Sequence, residues 1–332
     1  MSTRISGAST GLAARGAGGD HPGMPRKLVF IVNPQSRGGA TGRAWPALTA
    51  ALREEVGDFG TYFTKRPNEA TDLTRHALER GADVVVAVGG DGTTNEVVNG
   101  FFDERGELVR PGAALAVLPR GTGSDFLKSF TVDRSVEATA ARLARGTPRP
   151  FDVGRVQFED LEGKPCTRHF ANVASFGISG VIDGYVNQMR KSIGGRLAFM
   201  LGSLKGLYRY HDRVCRFRID EGPWQEGPIT CLAVANGRYF GGGMMVAPEA
   251  RTDDGLFDVT LWQGYGLGDF LLKGRRLYDG THVALSGTRT YKASRVEAVC
   301  EGDEVLLDVD GEVPGRLPAT FEILPAAINL IV

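Results

Sequence analysis

VVVAVGGDGTTNEVVNG, residues 84–100, is the stretch of sequence that decides the fold. Its first five residues are apolar and mostly β-branched, which predicts a strand buried on both faces, as in a parallel sheet. Gly89, Gly90 and Gly92 then form a loop that a ligand can approach closely, and polar residues 93–95 can cap a helix that begins at residue 96. A strand, a glycine-rich loop and a helix N-terminus together predict a phosphate site.

The same loop has a simpler interpretation, because Asp-Gly is also an ordinary turn dipeptide. It matches neither the GxxxxGK[ST] pattern of a P-loop nor the GxGxxG pattern of a dinucleotide-binding fold. The sequence therefore predicts an anion site that belongs to neither of these two classes.

Strand-like and helix-like segments alternate from residue 26 to residue 150. Strands are predicted at residues 27–34, 60–65, 84–88 and 113–119, and helices at residues 43–56, 68–81, 96–102 and 136–146. This βαβα order predicts an α/β domain with a parallel sheet and helices on both faces.

Three loops rich in small and polar residues follow the ends of predicted strands: NPQSRGG (33–39), GGDGTTN (89–95) and LPRGTGSDF (118–126). Ligands of such sheets lie outside the carboxyl ends of the strands, so backbone amides and hydroxyl groups of all three loops can converge on one polyanion. Arg37 and Arg120 could add positive charge, and a solvated surface position is an equally good interpretation of each.

After residue 150 the helices become rare and short strands predominate, which predicts a mainly antiparallel β domain. Two segments interrupt it with helical spacing of apolar residues, at 194–211 and 268–280. We therefore predict a disordered leader at residues 1–25, an α/β domain at 26–150 and a β-rich domain at 151–332, whose last strand can pack back on the first domain.

Composition excludes several classes of protein. The 39 basic and 39 acidic residues balance, which gives no argument for a nucleic-acid partner. The four cysteines form no CxxC and the five histidines no HxxxH or HExxH, which argues against structural zinc and favours the reducing cytosol. No segment has the roughly 18 to 20 apolar residues of a membrane span, so we expect a cytoplasmic protein, at most peripheral at the inner membrane face.

Four motifs resemble those of the diacylglycerol kinase catalytic-domain family, which also includes sphingosine and ceramide kinases and bacterial lipid kinases. They are GGDGTTN, LPRGTGSDF, FGGGMMVAPEARTDDGLFDV (240–259) and DGE (310–312). The resemblance implies a nucleotide domain like those of phosphofructokinase and NAD kinase, then a β-sandwich-like lipid domain, with the active site between them.

The resemblance also implies particular site residues. ATP contacts map to Asn33, Thr64, Gly89, Gly90, Asp91, Gly92, Thr93, Thr94, Asn95 and Thr122. Asp91 matches the aspartate that Mg-ATP requires, and Glu312 matches the general base. Ser124 replaces the usual asparagine, which puts one capping contact in doubt. Read alone, DGE predicts only a hairpin turn.

The implied cofactors are ATP and Mg²⁺, with a further metal bound by the Asp254 carboxylate and the backbone carbonyls of Arg251 and Leu256. Hard cations take such oxygen ligands. A solvated Asp-Asp-Gly turn is the alternative interpretation of this loop.

The resemblance thus predicts an ATP-dependent lipid kinase that converts diacylglycerol to phosphatidic acid at a membrane surface. Sphingosine-type relatives carry an amine-pairing aspartate where Val181 falls here, so we expect diacylglycerol first and phosphatidylglycerol second; a shifted alignment would supply Asp183 instead. An NAD kinase-like enzyme and a non-catalytic lipid or nucleotide sensor are the rivals. A homodimer is possible, and the apolar helix at residues 197–207, flanked by basic residues, is a candidate membrane contact.

Overall fold

The computed structural model describes residues 26–121, 123–182, 210–302 and 304–332. The predicted leader, the predicted helix at residues 197–207, Thr122 and Asp183 therefore lie outside the described residues. Within these ranges, no helix combines the length and the apolar composition needed to span a bilayer.

The first half is the predicted α/β layer. Its strands β1 (Leu28–Val32), β2 (Gly60–Phe63), β3 (Val84–Gly89) and β4 (Ala114–Pro119) pair in parallel in the order β2-β1-β3-β4. The helices are α1 (Ala40–Val56), α2 (Glu69–Glu79), α3 (Asp91–Asn99), α4 (Asp125–Lys128) and α5 (Val136–Arg145). The prediction of a parallel sheet is confirmed.

Strand β3 has a separate apolar core on each face. Val85 and Ala87 lie in one buried cluster, whereas Val84, Val86 and Val88 lie in another. Burial of one valine side chain contributes about 1.5 to 3 kcal/mol, so the run of valines stabilises both helical layers at once. The adjoining glycine-rich loop is thereby held at the end of a strand that is buried at every residue.

Helix α3 begins earlier than predicted. It starts at Asp91, not at residue 96, because extended Gly90 (φ −98°, ψ −169°) alone separates the sheet from the helix. Thr93, Thr94 and Asn95 therefore lie within the helix and do not cap it. Gly90 provides no side-chain cap, which leaves the first-turn amides of α3 available to a ligand.

The second half is mainly antiparallel. Its strands are β5 (Arg149–Asp160), β6 (Pro165–Phe170), β7 (Val173–Gly177), β8 (Arg213–Ile219), β9 (Gln225–Ile229), β10 (Cys231–Ala235), β11 (Tyr239–Phe240), β12 (Met244–Met245), β13 (Phe257–Trp262), β14 (Thr288–Ala293), β15 (Arg295–Cys300), β16 (Leu307–Val309) and β17 (Gly315–Ile331). Helix α6 (Leu267–Asp279) and a 3₁₀ turn (Thr281–Ala284) follow β13. A five-stranded sheet has the order β14-β13-β10-β7-β16.

The long strand β17 joins the two halves into one ten-stranded sheet. Its end, Asn329–Ile331, pairs in parallel with β4, and residues 319–322 pair antiparallel with β15. Irregularities in its pairing with β5, between Leu324 and Ile328, coincide with the positive φ of Ala326. The sheet therefore runs without interruption from the parallel layer into the antiparallel layer.

His169 on β6 is buried where the two halves meet. Its ring stacks on Phe102 with centroids 3.8 Å apart and planes 9° apart, and its backbone N–H donates to Asn99 Oδ1 at 2.9 Å. Burial, supported by the nearby charge of Arg155, lowers the pKa of His169 to about 4. The imidazole is therefore neutral in the folded protein at neutral pH.

This burial predicts a loss of stability in mild acid. The unfolded chain binds a proton near pH 6.5 and the folded chain does not until about pH 4, so stability is complete above 6.5 and falls as the pH drops through that window. Between pH 7 and pH 5, His169 should contribute a loss of about 2 kcal/mol. In urea unfolding, the change in the free energy of unfolding between pH 7 and pH 5 should be smaller by this amount in His169→Phe than in wild type. The control is His76→Phe, at an exposed histidine, in which this change should equal that of wild type. Equal pH dependence in all three proteins would contradict the prediction.

Candidate active site

A single large cleft of about 1910 Å³ lies at the carboxyl ends of the parallel strands and is lined by both halves of the chain. Its polar part includes the α3 N-terminus and the loops after β1 and β4, and its apolar part lies against β10, β13 and α6. The volume exceeds the roughly 300 to 1,000 Å³ of an ordinary small-molecule site. The cleft therefore has room for two ligands side by side.

The polar part brings together most of the residues predicted to contact ATP. Asn33, Gly90, Asp91, Gly92, Thr93 and Thr94 all line it. Asn33 Nδ2 donates to Thr93 Oγ1 at 3.3 Å, which joins the loop after β1 to α3. Uncapped amides, glycines and the positive end of α3 fit a polyphosphate. We call this arrangement the phosphate cradle.

Four of the predicted ATP residues have a different placement. Gly89 lies behind the cradle, where a Cβ atom would come within 2.3 Å of Thr93 Oγ1. Thr64 is buried after β2 and does not line the cleft. Asn95 is buried and donates through Nδ2 to Asp310 Oδ2 at 2.9 Å, so it links the halves. Thr122 lies outside the described residues.

Gly121 closes the cradle from the third loop. A Cβ atom there would lie 2.6 Å from the Cα atom of Gly90, which is closer than real Cβ contacts allow, so only glycine permits this approach of two backbones.

We expect Gly121→Ala to weaken ATP binding about tenfold or more, because relieving such overpacking typically costs about 1 to 3 kcal/mol. Titration of each protein with ATP measures the dissociation constant. Gly60→Ala is the matched control, since its Cβ atom would meet Val29 at an ordinary 3.4 Å. Unchanged affinity in Gly121→Ala would show that the loops separate without cost.

Asp91 links two of the cradle loops. Its Oδ2 and Oδ1 accept hydrogen bonds from the backbone N–H groups of Asp125 and Phe126, each at 3.2 Å, so it caps α4. Burial, and then the charge of Asp125, raise the pKa of Asp91 against these hydrogen bonds. Its assignment to Mg-ATP stays a prediction, and its visible role is to hold the loop after β4 against α3.

Asp125 connects the cradle to the other half of the chain, a role that sequence reasoning missed. Its Oδ2 accepts the N–H of Gly242 at 2.7 Å, and Lys128 Nζ donates to its Oδ1 at 2.5 Å. Gly242 belongs to a run of three glycines with positive φ, from Gly241 to Gly243. The sequence indicated Asp125 and Gly242 only as members of the motifs LPRGTGSDF and FGGGMMVAPEARTDDGLFDV.

Glu312 lies at a hairpin turn and also faces the cradle. The geometry is therefore compatible with both interpretations of DGE, as a turn and as the position of a general base. Positive φ values at Asp310 (51°) and Gly311 (88°), with the Val309 N–H donating to Glu312 O at 2.8 Å, form the turn. A Cβ atom on Gly92 would lie 3.8 Å from Glu312 Oε1. The carboxylate therefore borders the position of a phosphate bound at α3.

Arg168 on β6 holds this carboxylate. Its Nη1 donates to Glu312 Oε2 at 2.8 Å, and its Nη2 donates to Asn68 Oδ1 at 3.3 Å. Because Oε2 takes this ion pair, Oε1 is the oxygen directed toward the cradle. Sequence reasoning missed Arg168, which lies far from every motif.

Asp310 fastens the turn to the rest of the protein. Its Oδ1 accepts the N–H groups of Asn172 and Val173, and its Oδ2 accepts those of Ala171 and the Asn95 side chain, at 2.9 to 3.1 Å. Burial raises the pKa of Asp310, and these four hydrogen bonds oppose the shift. Asp310 therefore holds the turn that carries Glu312.

Among the described residues, the apolar part of the cleft contains one buried acidic group, Asp308. Aromatic and aliphatic side chains dominate it, among them Ile178, Phe240, Trp262, Phe270 and Leu277. Asp308 is buried there, but its oxygens accept the Gly311 N–H at 2.8 Å and the Ser175 hydroxyl at 3.2 Å.

The predicted metal loop lies away from this cleft, since Arg251, Asp254 and Leu256 are not among its lining residues. Lys292 Nζ lies 3.3 Å from Asp254 Oδ2 and 2.8 Å from Asp258 Oδ2, and Asp254 Oδ1 accepts the Leu256 N–H at 3.2 Å. The Asp254 carboxylate is thus paired with a lysine ammonium, and its assignment to a metal stays a prediction. Across the described ranges, no three His, Cys, Asp or Glu side chains form a group suited to a metal.

Internal contacts hold this loop in place. Asp152 accepts the N–H groups of Gly255 and Ala326, each at 2.7 Å, and its own N–H donates to the Thr252 carbonyl at 2.8 Å. Burial lowers the pKa of Lys292, but hydrogen bonds with Asp258 and Asp254 outweigh it and the net shift is upward. The Lys292 side chain thus supplies a positive charge beside Asp254 and Asp258.

We expect the melting temperature of the wild-type protein to be insensitive to EDTA and to added Mg²⁺, because the Lys292 ammonium already lies against the carboxylates of Asp254 and Asp258. Lys292→Met should lower the melting temperature by about 2 °C and should make it rise with Mg²⁺. The control is Lys164→Met, which removes an exposed ion pair with Glu162. A wild-type melting temperature that falls in EDTA would support the metal assignment instead.

Comparison with known proteins agrees with this geometry. A model described as diacylglycerol kinase catalytic domain matches residues 27–156, and one described as YegS C-terminal NAD kinase beta sandwich-like domain matches residues 172–332. A Pseudomonas aeruginosa protein named "Probable lipid kinase YegS-like" is 32% identical over 71% of this chain and 72% of its own length.

Two further comparisons cover nearly the whole chain. The diacylglycerol kinase of Mycobacterium tuberculosis is 27% identical over 92% of this chain and 94% of its own. The crystal structure of a Bacillus anthracis diacylglycerol kinase, 23% identical, superposes with a TM-score of 0.67 over 92% of this chain and 96% of that one, and supports the fold.

Fold, cleft and relatives together define a lipid kinase, which transfers phosphate from ATP to an alcohol group. The chain belongs to the diacylglycerol kinase catalytic-domain family.

Proposed function

We propose that this kinase phosphorylates the free hydroxyl of a neutral glycerolipid, with diacylglycerol as the first candidate and phosphatidic acid as its product. One observation carries the proposal: Glu312 borders the phosphate cradle at Gly92 and lines the same cleft as the apolar side chains. An amphiphile whose acyl chains occupy the apolar part would place its hydroxyl beside this carboxylate.

The chain's own groups account for the chemistry. Amides of the α3 N-terminus orient the terminal phosphates of ATP, and such positioning supplies most of the acceleration of phosphoryl transfer. Glu312 Oε1 accepts the proton of the lipid hydroxyl as that oxygen bonds to the γ-phosphorus, the bond from this phosphorus to the β–γ bridging oxygen breaks and ADP leaves. Arg168 and Asp310 keep the carboxylate at that point.

Mg²⁺ is part of the proposal as the companion of ATP. When bound it would neutralise charge on the β- and γ-phosphates. Asp91 and Asp125 line the cradle and are the carboxylates that would contact it, although both already hold internal hydrogen bonds.

The apolar surroundings favour a neutral acceptor over a sphingoid base. Among the described residues, Asp308 is the buried carboxylate of the apolar part, and its oxygens already accept internal hydrogen bonds, while Val181 cannot pair with an amine. A buried ammonium without a partner would be strongly disfavoured. The same apolar lining weighs against the polar acceptor of an NAD kinase.

The test is product identification with labelled ATP and a panel of diacylglycerol, phosphatidylglycerol, sphingosine and NAD⁺. Phosphatidic acid should be the main product, with the highest kcat/KM for diacylglycerol. A higher kcat/KM for sphingosine would overturn the choice of acceptor, labelled NADP would identify an NAD kinase, and no labelled product at all would favour the sensor.

A further inference from the structure

Helix α6 presents two different faces. Phe270, Gly274 and Leu277 line the apolar part of the cleft. Exposed residues recur with helical spacing on the opposite side, namely Gly268, Leu272, Arg275, Arg276 and Asp279, of which the Arg275 side chain also reaches the lining of the cleft. We call these five residues the outer face of α6.

The outer face carries an unusually exposed apolar side chain. Leu272 is 86% exposed, and Tyr278 and Val283 close by are 48% and 38% exposed. A single exposed leucine would need no explanation. Here three large hydrophobic residues lie within twelve positions, and they form a local patch beside the opening of the apolar cleft.

Basic residues accompany this patch. Neither Arg275 nor Arg276 forms an ion pair with an acidic side chain among the described residues, whereas Lys273, nearer the cleft, pairs with Asp269 at 2.6 Å. The two arginines outnumber the neighbouring Asp279, whose pKa their charges help to lower. Their excess positive charge beside an exposed leucine is complementary to a surface that offers phosphate groups above an apolar layer.

We propose that the outer face of α6, with the adjoining 3₁₀ turn, docks on an anionic lipid bilayer. Leu272 enters the boundary between head groups and acyl chains, and Arg276 contacts lipid phosphates. The cleft then opens at the membrane surface, and a lipid can pass along Phe270 and Leu277 toward Glu312. This docking rests on the proposed lipid substrate and provides a path by which that lipid reaches the cleft from the bilayer.

A second copy of the chain fits this surface less well. Stable protein interfaces bury about 800 Å² per partner and are depleted of charge at their centre. Here the apolar contribution is a few side chains, and arginines adjoin its most exposed member.

The experiment is co-sedimentation, without nucleotide, using phosphatidylcholine vesicles with and without phosphatidylglycerol. Wild type should bind the anionic vesicles more tightly. Leu272→Asp should weaken that binding about tenfold or more, and Arg276→Glu should abolish the preference for phosphatidylglycerol. Leu161→Asp, at a 57% exposed leucine in the β5–β6 turn, is the matched control and should bind as wild type does.

Activity on two substrates separates this proposal from the function on which it rests. Leu272→Asp should lose activity on diacylglycerol in vesicles and keep it on a short-chain, monomeric diacylglycerol. Wild-type protein that binds vesicles but phosphorylates no lipid would refute the proposed function and leave the docking supported. Equal vesicle binding by wild type and Leu272→Asp would overturn the docking, as would light scattering that shows Leu272→Asp converting a dimer to a monomer.

Discussion

Replacing Glu312 with Gln is expected to lower kcat for lipid phosphorylation by about 10² to 10⁴, the usual contribution of a general base. The amide cannot accept the hydroxyl proton, and it also loses the ion pair with Arg168. Folding should persist, because the turn is closed by backbone hydrogen bonds between Val309 and Glu312 and the side chain is 40% exposed. Steady-state turnover and the melting temperature measure the two effects.

Glu304→Gln is the matched control for this prediction. Glu304 pairs with Arg316 at 2.8 Å, the same separation as that between Glu312 and Arg168, but it does not line the cleft. Turnover in this control should stay at the wild-type value. Near-normal turnover of Glu312→Gln, or an equal loss in both variants, would mean that the Glu312 carboxylate is not the base.

Asp310→Asn should have the largest combined effect on stability and activity. Each carboxylate oxygen accepts two hydrogen bonds, and the asparagine amino group would leave two buried donors without an acceptor. At about 1 to 3 kcal/mol for each unsatisfied donor, the free energy of unfolding should fall by roughly 2 to 6 kcal/mol. Turnover should fall as well, since the displaced turn carries Glu312.

Denaturant unfolding and turnover of Asp310→Asn should be compared with those of Asp103→Asn. Asp103 also accepts two backbone N–H groups, from Arg105 and Glu107, but in an exposed turn where water can replace it. That variant should stay within about 1 kcal/mol of wild type. Wild-type stability in Asp310→Asn would show that the four hydrogen bonds contribute little.

The sequence predicted those features that local chemistry determines. A run of apolar, mostly β-branched residues, Val84–Val88, can bury both faces only in a sheet covered on both sides. The glycines that follow indicated the tight connection to a helix, although Gly89 ends β3 and Gly92 lies within α3. The DGE turn was likewise readable, because the left-handed conformations at Asp310 and Gly311 suit Asp-Gly.

The remainder depends on contacts between distant parts of the chain. Arg168 is 144 positions from Glu312, and Asn95 is 215 positions from Asp310. Neither pairing leaves a local pattern, so Asn95 was assigned to ATP by motif alone, whereas its side chain joins the two halves. The cation beside Asp254 was missed for the same reason, because Lys292 lies on a different strand.

The position of β17 has a consequence for synthesis on the ribosome. This strand follows every other described strand in the sequence, yet it pairs directly with β4 and β15. A nascent chain therefore completes β1 to β4 long before the neighbour of β4 has been translated, and the edge of β4 has no β17 partner during that interval. Exposed edges of this kind attract other strands. Native completion of this sheet is therefore a late event in translation, and until then the unpaired edge of β4 is a site where chaperones could protect the chain.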